Sequence, residues 1–190
     1  MDQESTIESI LTYNKGFVAQ RKGQPFTAPS KPQRHLAVVA CMDTRFTTML
    51  ATALGLADGD ANIIKVAGGQ VAEPYGAVMR SLIVAVHMLG VQDVMVIAHT
   101  DCGAQHLSAQ KLRPLMEQAG IGAQGFAAVE AAGVDLDEWL QGFGDTAQAV
   151  RNSVSTIQTH PLMPANLRVR GFIIDTHTGE LMTVEQPEEK

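Results

Sequence analysis

Short, unbroken apolar runs alternate along this chain with segments in which apolar residues recur every three or four positions. Residues 35–40 and 94–98 are runs of the first kind, short and apolar on both faces. The first fits a central parallel strand and the other a further buried strand, while 62–66 between them reads as a second strand of the same sheet. Between them, Met49, Leu50, Ala53 and Leu54 have helical spacing, with Gly55 placed to end the turn. The clearest helix is predicted over 74–89, where Val78, Leu82, Ala85, Val86 and Leu89 share a face and Gly90 follows. Asp145 and Gln148 have capping-box spacing and open a helix carrying Val150, Val154 and Ile157, which closes near His160-Pro161.

The two ends of the chain follow other patterns. A first helix is predicted over 5–19, with a short stripe of Ile7, Ile10, Leu11 and Phe17 that calls for a surface to pack on. Gly23, Pro25, Pro29 and Pro32 then make residues 20–33 an extended connector. Residues 108–141 are less periodic, interrupted by Pro114 and four glycines, and predict short peripheral helices, with Trp139 as a packing anchor. In 167–174, Leu167 and Val169 alternate with Arg168 and Arg170, the pattern of an edge or half-exposed strand. A turn at 176–179 sends 181–184 back as its hairpin partner, and 186–190 reads as a frayed polar tail.

This order predicts an α/β fold. A single domain holds a central, mostly parallel four-stranded sheet plus a C-terminal edge strand or hairpin, flanked by helices and preceded by an N-terminal helical arm. Residues 1–33 form the arm and connector, and residues 34–190 the α/β domain. At 190 residues the chain is long enough to bury a full core. No apolar stretch approaches the roughly 18 residues of a membrane span, and the acidic start lacks the pattern of a signal peptide, so the expected location is cytoplasmic. Twenty acidic residues against 14 Lys plus Arg, with no dense basic block, argue against nucleic acid as a partner.

Two stretches that each follow a predicted strand contain both cysteines: Cys41-Met42-Asp43-Thr44-Arg45 and His99-Thr100-Asp101-Cys102-Gly103. Ligands in open parallel sheets gather beyond the C-terminal strand ends, so the topology can unite the two. Two thiols and an imidazole are three of the four ligands of tetrahedral Zn²⁺, and Asp43 could fill or guard the fourth position. An arginine two residues on can hold that carboxylate in a charge-assisted fork. Held there, Asp43 would orient a metal-bound hydroxide; released, it would close the site. The thiols are too far apart in sequence for a Cys-x-x-Cys redox pair, and Gly68-Gly69 lacks the spacing of a phosphate loop. His106 could be a relay or a plain surface residue. Asp101 could orient a ligand or cap a helix, His87 reads as packed in its helix, and Tyr75 and Gln70 could line a cleft.

These two motifs resemble the Cys-x-Asp-x-Arg and His-x-x-Cys-Gly signatures of the β-class carbonic anhydrases. The resemblance runs over roughly residues 34–185, through Lys65-Val66-Ala67-Gly68-Gly69 and the segment from Arg170 to Leu181. It implies Zn²⁺ held by Cys41, His99 and Cys102, with Asp43 and Arg45 as the catalytic pair. It further implies reversible hydration of CO2 to bicarbonate and a proton by metal-bound hydroxide. A homodimer, or a multiple of dimers, would carry the site near its interface, with the N-terminal helix across the neighbour. Lys65 stands where the family has arginine, so a contact made by a planar fork is made differently or lost. Met42 and Phe46 are larger than the residues usual beside the motif and could narrow the pocket or make it more apolar. The alternatives are a hydrolase of carbonyl sulfide or carbon disulfide on the same scaffold, and a structural or regulatory zinc domain without turnover.

Overall fold

A computed structural model describes residues 5–186. The acidic residues 1–4 and all but the first residue of the expected polar tail lie outside it. Strands β1 (Leu36–Cys41), β2 (Ala61–Val66), β3 (Asp93–His99), β4 (Arg168–Ile174) and β5 (Leu181–Val184) form one sheet in the order β2-β1-β3-β4-β5. The first four run parallel and β5 is antiparallel to β4. The result is the α/β architecture that the alternation of runs predicts, with a C-terminal hairpin completing a mostly parallel sheet.

Alternate residues of β1 feed two cores. Ala37 and Val39 pack with Met79 and Leu82 of helix α3 (Ala77–His87) and with Val150, Val154 and Ile157 of helix α7 (Thr146–Gln158). Val38 and Ala40 face the other way, onto Phe46, Leu50 and Ile97. Leu50 belongs to the short helix α2 (Met49–Ala53), preceded by a 3₁₀ turn over Thr44–Phe46. A strand buried on both faces in this way must be apolar throughout, which is why β1 and β3 read as continuous runs.

The remaining helices sit outside this frame. Helix α1 (Thr6–Arg21), capped by Ser5, has no buried residue. Helices α4 (Ala109–Gln118), α5 (Ala123–Ala131) and α6 (Leu136–Trp139) are the short peripheral pieces expected between β3 and α7. Pro114 lies within α4 without ending it.

Two expectations change and one is decided between its alternatives. Helix α3 starts at Ala77, because residues 73–76 close a turn through Gly76 N–H to the Glu73 carbonyl and leave Gly76 extended. Strand β4 is half-exposed but not at an edge, since β5 covers its far side. Trp139 is 59% exposed rather than an anchor, because the four-residue α6 that carries it lies at the periphery.

Two turns set the positions of the strand ends. After β2 the chain passes through Ala67–Gly69, where Gly68 and Gly69 both have positive φ (75° and 65°). A Cβ on Gly69 would lie 2.8 Å from the Cys41 nitrogen and 3.1 Å from the Ile97 carbonyl oxygen. Next along, Val71 N–H donates to the buried Ser153 hydroxyl of α7 (3.0 Å). Between β4 and β5, Asp175 Oδ1 accepts from Thr178 N–H (2.7 Å) and His177 N–H (2.8 Å). Those donors, Thr178 first, hold the Asp175 carboxyl below its ordinary range.

Gly69→Ala is expected to lower folding stability by at least about 2 kcal/mol, from left-handed backbone strain plus overpacking against β1 and β3; denaturant unfolding measures it, and wild-type stability would contradict the close approach. For Asp175 the folded pKa is depressed, so its contribution is full above the unfolded value of about 4 and is lost as pH falls through the folded one. The Tm gap between wild type and Asp175→Ala should therefore be constant from about pH 8 to 5 and narrow below about pH 4.

Candidate metal centre

Because β1 and β3 are neighbours, their C-terminal ends lie side by side, with Ala40 in register with Ile97. Cys41 ends β1, His99 ends β3, and Cys102 follows three residues later. All three side chains are buried, and their ligand atoms lie within 4.8 Å of one another. The two sulfurs are 3.9 Å apart and unbonded. Two ligands on tetrahedral Zn²⁺ with bonds of about 2.3 Å would sit about 3.8 Å apart. Burial pushes the Cys102 thiol up, and Cys41 beside it pushes the same way.

The imidazole completes the set. His99 is 1% exposed, and its Nε2 has no hydrogen-bond partner. Its Nδ1 lies 2.8 Å from the Thr100 carbonyl, which can only accept. The ring proton is therefore on Nδ1, and the lone pair of Nε2 faces the thiols. A buried polar atom without a partner costs free energy of about 1–3 kcal/mol, and a cation between two sulfurs is what this one can satisfy. Phe46 packs edge-on against the ring, centroids 4.7 Å apart. These donors fit a divalent metal of Zn²⁺ type.

Asp43 leaves β1 two residues after Cys41. Arg45 grips it with Nε–H to Oδ1 (3.0 Å), Nη2–H to Oδ2 (2.8 Å) and its backbone N–H to Oδ1 (2.9 Å). The Arg45 fork, chiefly its side chain, holds the Asp43 carboxyl far below the ordinary range. Oδ2 lies 4.0 Å from His99 Nε2. The sequence-predicted pair and the three predicted ligands thus meet at one place.

Other candidates separate. Lys65 reaches the Asp43 carbonyl with a single donor at 3.5 Å, one long contact of the kind a lysine makes in place of a planar fork. Phe46 is buried at the site, whereas Met42 is 63% exposed on this chain. Asp101 does not cap the following turn, whose cap has no side-chain bond. Its backbone is left-handed (φ 54°), and its carboxylate faces His177 Nε2 at 3.7 Å. His106 is exposed, and His87, also exposed, bonds the Leu162 carbonyl rather than packing inside. Gln70 lines a cleft of about 270 Å³ with Val66, Leu107 and Trp139, while Tyr75 is exposed against His160. Sequence reading passed over Thr100 and gave Thr176 only a turn. Their hydroxyls meet at 3.1 Å across the two strand ends.

The model of the carbonic anhydrase family matches residues 36–181, a span that contains every residue of this cluster. The chain belongs to the β-carbonic anhydrase family. The Bacillus subtilis protein YvdA, itself only a proposed carbonic anhydrase, is 38% identical over 97% of this chain and 93% of its own length. The solved β-carbonic anhydrase isoform I of Trichomonas vaginalis superposes with a TM-score of 0.85 at 30% identity, covering 96% of this chain and 98% of that one. A carbon disulfide hydrolase of Acidithiobacillus thiooxidans is 25% identical over 95% of this chain and 90% of its own.

Among β-carbonic anhydrase features, a Cys-His-Cys cluster able to bind a metal is therefore present here. Zn²⁺ titrated into metal-free protein is expected to raise Tm in step with the logarithm of its concentration. Cys102→Ser should lose most bound metal by elemental analysis, and full retention would contradict its role as a ligand.

Proposed function

We propose that the protein is a zinc-dependent carbonic anhydrase, converting CO2 and water reversibly to bicarbonate and a proton. The observation that carries this reading is the unpartnered Nε2 of buried His99, facing two thiols with a fixed carboxylate 4.0 Å away. Cys41, His99 and Cys102 would hold Zn²⁺, which when bound supplies Lewis-acid activation of water at neutral pH.

The rest of the work falls to residues of the chain. Asp43 stays ionised across physiological pH because Arg45 neutralises it, so it acts only as a hydrogen-bond acceptor. Placed beside the ligand atoms, it accepts a hydrogen from the attacking water and points the oxygen lone pair at the carbon. Arg45 fixes both oxygens of Asp43, which keeps that carboxylate from turning onto the metal; this favours turnover over a closed, purely structural zinc site. The cleft lined by Val66, Leu107 and Trp139, with Gln70, Glu73 and Gln141 as its polar side chains, adjoins the packing around Cys41 and Cys102 through Ala104 and has room for a small substrate.

Carbon disulfide or carbonyl sulfide hydrolysis is the second reading, favoured by the carbon disulfide hydrolase among the relatives. For assembly, we propose a homodimer or a multiple of dimers, with residues 1–33 as an arm over the neighbour and 34–190 as the zinc-binding domain. Helix α1 leaves Ile7, Ile10 and Leu11 at least half exposed, which supports a second copy as its surface. We place the protein in the cytoplasm; among the described residues no helix is long and apolar enough to cross a membrane.

A proton-release assay with CO2 from pH 6.5 to 9, beside carbon disulfide and carbonyl sulfide assays, tests the reading. Asp43→Ala should keep its metal and lose turnover by about a hundredfold or more. Faster turnover of a sulfide than of CO2 would replace the first reading with the second.

A further inference from the structure

Thr100 lies between two candidate ligands and uses all three of its polar groups. Its N–H donates to the Ile174 carbonyl at the end of β4 (3.1 Å). Its carbonyl accepts the Nδ1 proton of His99 (2.8 Å). Its hydroxyl oxygen accepts the backbone N–H of Thr176 (3.1 Å) and shares a hydrogen bond with the Thr176 hydroxyl (3.1 Å). The peptide that fixes the His99 proton is thus tied to the β4–β5 turn at two points. That turn is itself braced by the Asp175 carboxylate. His177, next to Thr176, faces Asp101, next to Thr100, so two consecutive residues of the turn meet two consecutive residues of the ligand loop.

We propose that Thr100 and Thr176 are positioning residues: a clamp between the hairpin turn and the ligand loop that holds the Thr100 carbonyl where it keeps the His99 proton on Nδ1 and Nε2 free for the metal. Neither hydroxyl touches a ligand atom or substrate; both act through the Thr100 peptide. Groups that fix the tautomer and orientation of a ligating histidine commonly change metal affinity 10- to 100-fold when removed. This inference rests on the zinc-centre reading above.

Zinc release from the loaded full-length protein into a colorimetric chelator tests it, with Tm recorded for every variant. Thr176→Val loses one of the two bonds and should release zinc several-fold faster. Thr100→Val loses both and should release it about tenfold faster or more. Thr176→Ser keeps the hydroxyl and should match wild type within about twofold. Val184→Ala loosens the same hairpin from the core without touching Thr100; it should lower Tm and leave release unchanged. In metal-free protein, imidazole ¹⁵N shifts should show the Nδ1–H form in wild type and a mixture in Thr100→Val. Wild-type release from Thr100→Val, or acceleration by Val184→Ala equal to that of Thr176→Val, overturns the clamp while leaving the zinc centre intact. A wild type that takes up no stoichiometric zinc overturns the zinc centre, and the clamp with it.

Discussion

The pairing of β1 with β3 is the constraint on which the rest depends. It brings Cys41 and His99 to adjacent strand ends although the chain visits β2 between them. A parallel sheet obliges each crossover to return to the same starting edge, so successive C-terminal ends collect on one rim. At that rim β1 and β3 are buried on both faces, and Cys41 and His99 leave them into a space with little water. An imidazole nitrogen left there without a partner, beside two thiols, is a destabilising arrangement in the bare polypeptide and a favourable one around a cation.

Strands β1 and β3 were legible because burial on both faces leaves a continuous apolar run; β2, at the sheet edge and without a fully buried residue, showed only through Ile63, Ile64 and Val66. The N-cap at Asp145 was legible because it is local: the carboxylate accepts Gln148 N–H three residues on (2.6 Å), while the Gln148 side chain turns to Asn152 and Arg151 instead of closing the expected box. Helix α3 was drawn three residues too early at its start because periodicity carries no signal for the turn at Glu73–Gly76. Trp139 misled for a related reason, since its size implies burial while the short helix around it cannot provide it. The cluster of Cys41, His99 and Cys102 could be anticipated from ligand chemistry at strand ends. The Thr100–Thr176 contact could not, because it joins residues 76 apart and exists only through the β3–β4 register.

Glycine carries as much of the site as the charged residues do. The close passage of Gly69 beneath Cys41 and Ile97 leaves no volume for a side chain, and its backbone is left-handed. The turn after β2 is therefore pressed against the ends of β1 and β3, and Ser153 of α7 ties down the next residue but one. Asp43 and Arg45 project from the neighbouring turn, where they form a local fork needing no distant partner. A rigid floor and a self-contained ion pair divide the tasks of holding and of orienting.

Helix α1 stands apart from all of this. Sixteen residues that bury nothing have their own hydrogen bonds, the Ser5 cap and the local contacts of Phe17 and Arg21 with Phe26 to order them, and isolated helices of that length are marginal in water. Its melting is thereby uncoupled from that of the sheet: hydrogen exchange in this segment would report the surroundings of the helix, not the integrity of the core.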